Sequence, residues 1–165
     1  MKEIINHIRN HSYMSGVERE KLRVKSTGEV FTPTELVQEI LDVLEKSDPT
    51  LFTDPTKTFL DPSCGDGQFL GEVVIRKMEG GSTFEQALST TYGVELMADN
   101  AKLCRERLLC GCDKFGGIVE NNIVCADALK YDYSFDGTWE KKLKIDELND
   151  KRVLAELEQV NSLFE

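Results

Sequence analysis

The chain has 165 residues, of which 20 are Lys or Arg and 30 are Asp or Glu, giving a formal net charge of −10. That length suits one domain of ordinary size, and the 40% apolar share excludes a disordered or collagen-like chain. No apolar run approaches the roughly 18 residues of a membrane helix, so no membrane partner is expected.

The polar start Met1–His7 does not read as a signal peptide. Cys64, Cys104, Cys110, Cys112 and Cys125 are odd in number and irregularly spaced, with no paired Cys-x-x-Cys knuckles. Reduced thiols, no metal and a cytoplasmic location are the expectation. An acidic surface repels nucleic acid unless basic residues are segregated from it. Residues 1–30 hold six Lys/Arg and four Asp/Glu, a net of +2, far short of a DNA-binding stripe.

In chain order, residues 1–24 read as an N-terminal helical segment, with Ile4, Ile5 and Ile8 set among charges. His7 and His11 share a helix face at i, i+4. Ile8 stands where a zinc protease carries Glu, and no third ligand is evident, so both read as solvated or partly buried histidines. Thr32 as N-cap, Pro33 at the first helical position and Glu35 completing a capping box predict a helix to about Lys46. Thr58–Asp61 reads as a short buried strand, Pro62–Gly67 as a tight loop, and Gln68 to about Met78 as a helix with Phe69, Leu70, Val73 and Val74 inward.

A short helix follows from Phe84. Thr91–Leu96 reads as a second strand and Ala98–Leu109 as its helix. Gly111 and Gly116-Gly117 read as breakers, and Asn122–Cys125 as a third strand. Strand, helix, strand, helix, strand is the βαβαβ half of a doubly wound α/β sheet. Tyr131–Gly137 is loop-like, and Leu143–Leu163 predicts a final helix with an apolar stripe.

The chemistry points to the strand ends. Gly65-x-Gly67-x-x-x-Gly71 departs by one residue from the pyrophosphate fingerprint and is weak alone. Glu95 ends the second strand, where an acid can accept both hydroxyls of a ribose. Asp127 follows the third, where an acid can accept from an adenine amine. With Asp61, three acids at successive strand ends would line one crevice and form a nucleoside site.

Phe59-Leu60-Asp61-Pro62-Ser63-Cys64-Gly65-Asp66-Gly67-Gln68-Phe69-Leu70 resembles the first S-adenosylmethionine motif of adenine-specific, amino-methylating DNA methyltransferases. Thr27-Gly28-Glu29-Val30-Phe31-Thr32-Pro33 is similar to their upstream motif. Tyr92-Gly93-Val94-Glu95-Leu96 is similar to their ribose motif, and Cys125-Ala126-Asp127-Ala128-Leu129 to their adenine motif. The resemblance covers about residues 25–135, in family order. It implies a Rossmann-like class I methyltransferase fold, truncated to its βαβαβ half, with helices before it and a C-terminal segment over 136–165.

It also implies S-adenosylmethionine or S-adenosylhomocysteine as ligand. Phe31, Thr32, Pro33 and the loop of Asp61, Pro62, Ser63, Cys64, Gly65 and Gly67, with Phe69, would surround the amino-acid end. Glu95 would hold the ribose, and Asp127 with Ala128 the adenine, with Leu96 packing on the base. Cys64 reads as close packing rather than a reactive thiol.

The family's catalytic motif of Asn, Asp or Ser, then Pro-Pro, then Tyr or Phe has no match, because Pro33, Pro49, Pro55 and Pro62 are never adjacent. Asp132 and Asp136 among Tyr131, Tyr133 and Phe135 are its nearest imitation. No catalytic residue is therefore assigned, and DNA is expected as a partner only with a second chain. The resemblance places a fourth strand beside the first. Without it Phe59–Asp61 would be an open edge, expected to be covered by Leu143–Leu163 or by a protein partner or second copy. Two functions stand: one part of a DNA adenine methyltransferase, or a catalytically inactive cofactor-binding module acting through protein partners in a restriction–modification or regulatory setting.

Overall fold

The computed structural model describes residues 1–10 and 32–139. Phe31, His11, the remainder of the N-terminal segment and the helix expected over 143–163 lie outside the described residues. The chain divides into two compact units, Met1–Tyr131 and Asp132–Glu165.

The first unit runs α1 (Lys2–Asn10), α2 (Thr34–Ser47), β1 (Phe59–Asp61), α3 (Gln68–Glu79), α4 (Phe84–Ser89), β2 (Thr91–Glu95), α5 (Ala98–Leu109), a 3-10 turn (Asp113–Phe115), α6 (Gly116–Asn122) and β3 (Ile123–Cys125). The three strands form a parallel sheet in the order β1-β2-β3. Phe59 pairs with Thr91 and Asp61 with Gly93, then Gly93 with Ile123 and Glu95 with Cys125. This is the α/β, Rossmann-like half-sheet that the strand–helix alternation predicts. Among the described residues β1 is an edge strand, and Leu60 on it is half exposed.

The core explains the elements. Leu70, Val74, Ile75 and Met78 of α3 are buried together with Leu88, Cys104, Leu108 and Ile123, so α3 packs between the sheet and its neighbouring helices. Gly93 permits this approach: a Cβ there would lie 2.7 Å from Leu70 Cδ1 and 2.8 Å from Cys64 Sγ. A second cluster joins Val37 and Leu41 of α2 to Phe52 and Val73, with Phe59 and Phe69 packed against it.

Buried charges tie the helices. Glu72 of α3 accepts both Arg9 Nε and Nη2 at 3.0 Å and Gln38 Nε2 at 3.3 Å, which fixes α1 and α2 to α3. The buried Lys77 donates to the Lys57 carbonyl at 2.5 Å, and burial pushes its ammonium below the usual range.

Three local expectations are corrected. Pro33, not Thr32, is the N-cap of α2, and no side chain caps it. Gly116-Gly117 opens α6 instead of breaking a helix, and Asn122 closes α6, so β3 starts at Ile123. The first-turn amides of a helix have no intrahelical partner in any case, so glycine is cheap there, while burial of Val119 and Asn122 holds the rest.

In the second unit, the described residues 132–138 are irregular backbone with two side-chain-closed Asx contacts. Asp132 Oδ1 accepts from Ser134 N at 3.1 Å and Asp136 Oδ1 from Thr138 N at 2.8 Å.

Candidate functional site

A cavity of about 340 Å³ opens at the C-terminal ends of the three strands. That size lies in the range of small-molecule sites, roughly 300–1,000 Å³. Its position is the crevice where open α/β sheets bind ligands.

The loop Pro62–Gly67 leaves β1 and is held from two sides. Cys64 N donates to the Val94 carbonyl at 3.0 Å, and Gly65 N donates to Glu95 Oε2 at 2.9 Å. Gly67 turns the chain into α3 at φ +84°, where a Cβ would meet Cys104 Sγ at 2.6 Å. Hydrogen bonding with Cys104, together with burial, pushes the Cys64 thiol well above its usual value. A protonated, enclosed thiol is a packing group, not a nucleophile.

Three acids stand at the three strand ends. Asp61 closes β1 and accepts from Ser63 N at 3.0 Å. Burial, with a smaller contribution from the nearby Glu95 charge, pushes its carboxyl above the ordinary range against the pull of the Ser63 N–H. Glu95 closes β2 and is buried. Its Oε1 accepts from Met97 N and its Oε2 from Gly65 N, both at 2.9 Å. Asp127 follows β3, accepts from Leu129 N at 3.0 Å, and lies 3.6 Å from Lys130 Nζ.

The structure brings together on this wall Thr32, Asp61, Pro62, Ser63, Cys64, Gly65, Phe69, Glu95, Leu96, Asp127 and Ala128. Leu96 is 62% exposed at the lip. Pro33 and Gly67 are not among the lining residues and cap α2 and α3. Gln68, Met97, Asn100 and Ala126 also line it without a role assigned from sequence, and Asp66 lines it as part of the Asp61–Gly67 loop. Asp66 is buried and pairs with Arg107 Nη2 at 2.5 Å. Removing one partner of such a buried pair costs about 3–5 kcal/mol. Only the position of Asp66 inside the glycine turn could have flagged it, since its partner is 41 residues away.

The donor set can be tested against a sulfonium nucleoside. Such a ligand carries an ammonium, a cationic sulfur and a vicinal diol, all of which seek acceptors or negative charge. The wall offers carboxylates at three points, and the glycine turn leaves room at the loop. The residues present fit the group. Among the described residues no cluster of His, Cys, Asp and Glu could hold a metal ion, and no helix is long and apolar enough to cross a membrane.

A family model described as N-6 DNA Methylase matches residues 19–145. The Type II methyltransferase M.VspI of Vibrio sp. (strain 343) is 32% identical over 125 residues, which cover 70% of this chain and 26% of that protein. The chain thus spans about a quarter of the length of that curated relative. No solved structure matches the chain.

Proposed function

Because this chain belongs to the N-6 DNA methylase family, we propose that it binds S-adenosylmethionine, or its demethylated product, in the cavity at the strand ends and is the cofactor-holding part of a DNA adenine methyltransferase. The observation that carries this reading is the row of Asp61, Glu95 and Asp127 at the ends of β1, β2 and β3 around one glycine turn.

In this reading Glu95 accepts from the ribose hydroxyls. Its two oxygens are already oriented by the Gly65 and Met97 amides, so little is lost in ordering it on binding. Asp127 accepts from the adenine amine while Leu96 covers the ring. Asp61 and the Pro62–Gly65 loop face the amino-acid end, with Thr32 also on the wall. When bound, the cofactor supplies an electrophilic methyl group on its sulfonium. The Asp61 carboxylate favours the cationic ligand, and the closed loop keeps the ligand's orientation fixed.

A second reading is a cofactor-binding module without transfer activity of its own, acting through a protein partner such as a restriction–modification complex or a second copy. It is favoured by the net charge of −10, which disfavours DNA contact by the chain itself. Calorimetry with S-adenosylmethionine and S-adenosylhomocysteine tests the shared premise: one site per chain is expected, and silence with both overturns it. Tritiated methyl incorporation into DNA then separates the two readings. The enzyme reading requires incorporation when a polypeptide carrying an Asn-Pro-Pro-Tyr-type segment is added. None in any mixture leaves the binding module.

A further inference from the structure

Arg107 of α5 does not line the cavity, yet it holds two residues that do. Its buried guanidinium donates through Nη2 to Asp66 Oδ2 at 2.5 Å and through Nη1 to Gln68 Oε1. A guanidinium only donates, so this contact fixes which end of the Gln68 amide faces it. The amide nitrogen is then directed away and donates to Thr34 Oγ1 at 2.6 Å.

Thr34 begins α2, and the α2 ladder starts when Val37 N donates to the Pro33 carbonyl at 3.1 Å. The Pro33 ring locks φ, here −58°, and a residue before proline is confined to extended backbone. Few free torsions therefore separate the Thr34 anchor from Thr32, which reaches the cavity wall. We propose that Arg107, Gln68 and Thr34 form a positioning relay that sets the Thr32 edge of the cavity against its glycine turn, and so governs affinity for the amino-acid end of the cofactor rather than for its nucleoside. The relay deepens the cofactor reading and rests on it.

The test has two readouts on the full chain, with Gln68→Leu, Thr34→Val and Arg107→Lys as variants and Thr34→Ser as the conservative rescue. The first is amide hydrogen exchange at Val37 without ligand. Losing one side-chain hydrogen bond should speed it about fivefold in the three variants and not in Thr34→Ser. The second compares S-adenosylhomocysteine with 5′-methylthioadenosine, which lacks the amino-acid end. The same variants should weaken the first ligand about fivefold and leave the second unchanged. Unchanged exchange at Val37, equal weakening of both ligands, or weakening of neither overturns the relay. Should the unmodified chain bind neither ligand, the cofactor reading falls, while the exchange at Val37 still decides whether the relay holds α2.

Discussion

Both oxygens of Glu95 accept main-chain N–H groups, so the side chain is aimed before any ligand arrives. Glu95→Gln leaves one acceptor oxygen where two N–H groups need one each. Stability should fall by about 1–3 kcal/mol in urea unfolding, the cost of a buried donor without a partner. Affinity for S-adenosylhomocysteine should fall about tenfold or more, because hydrogen bonds to a charged acceptor are among the stronger ones. An unchanged dissociation constant in calorimetry would remove the ribose role. Asp61 behaves differently. Its carboxyl is raised above the ordinary range by burial, with Glu95 adding to the effect. The native state therefore binds a proton more tightly than the unfolded chain, and stability falls as pH rises from the unfolded value through the folded one. Asp61→Asn removes that penalty and keeps an oxygen for the Ser63 N–H. It should raise the thermal midpoint of the ligand-free chain at pH 7 while abolishing ligand binding. A cationic ligand favours the carboxylate, so wild-type affinity should be full above the raised pKa and decline as pH drops through it. A flat acid-range profile would show that Asp61 does not face the cation.

At the level of elements, the turn into α3 depends on one residue. Gly67→Ala places a methyl 2.6 Å from Cys104 Sγ at φ +84°. Overpacking of this kind costs about 1–3 kcal/mol, with left-handed strain of about 1–2 kcal/mol added. The urea midpoint should drop accordingly, and a midpoint within error of wild type would mean that α3 and α5 are not in contact there. The same turn was legible in the sequence, because Asp-Pro-x-Cys-Gly-x-Gly between the apolar pair Phe59-Leu60 and a helical stripe allows little else. β1, α3, β2 and α5 follow from local pattern for that reason, and their acids mark the strand ends. α6 was not legible: two glycines argue for a break, and only the packing of Val119 and Asn122 against distant elements overrides them. Asn100 was hidden for a related reason. It looks like one more polar residue early in a helix, and only the docking of α5 beside β2 buries it against the cavity. The contacts of Asp66 and Gln68 with Arg107 were hidden because no spacing rule connects that partner to the glycine turn.

For the whole molecule, charge decides what the chain does near DNA. A duplex binder that neutralises about 6–10 phosphates loses roughly 10³–10⁵ in affinity between 50 and 200 mM salt, because each contact releases a counterion. This chain carries ten more acids than bases. Several of its cations are already engaged: Arg9 with Glu72, Arg76 with Asp42 and Glu45, Arg107 with Asp66. The cavity wall itself is acidic, which suits a cationic cofactor and repels a phosphate backbone. Fluorescence anisotropy with a labelled duplex should therefore show weak binding by the chain alone, with a slope of log affinity against log salt close to zero. Adding saturating S-adenosylhomocysteine should not change that slope, since under the proposed cofactor reading the ligand meets the acidic cavity wall and adds no basic surface. A steep negative slope would reveal a basic face that neither the charge count nor these ion pairs account for, and would place DNA contact on this chain.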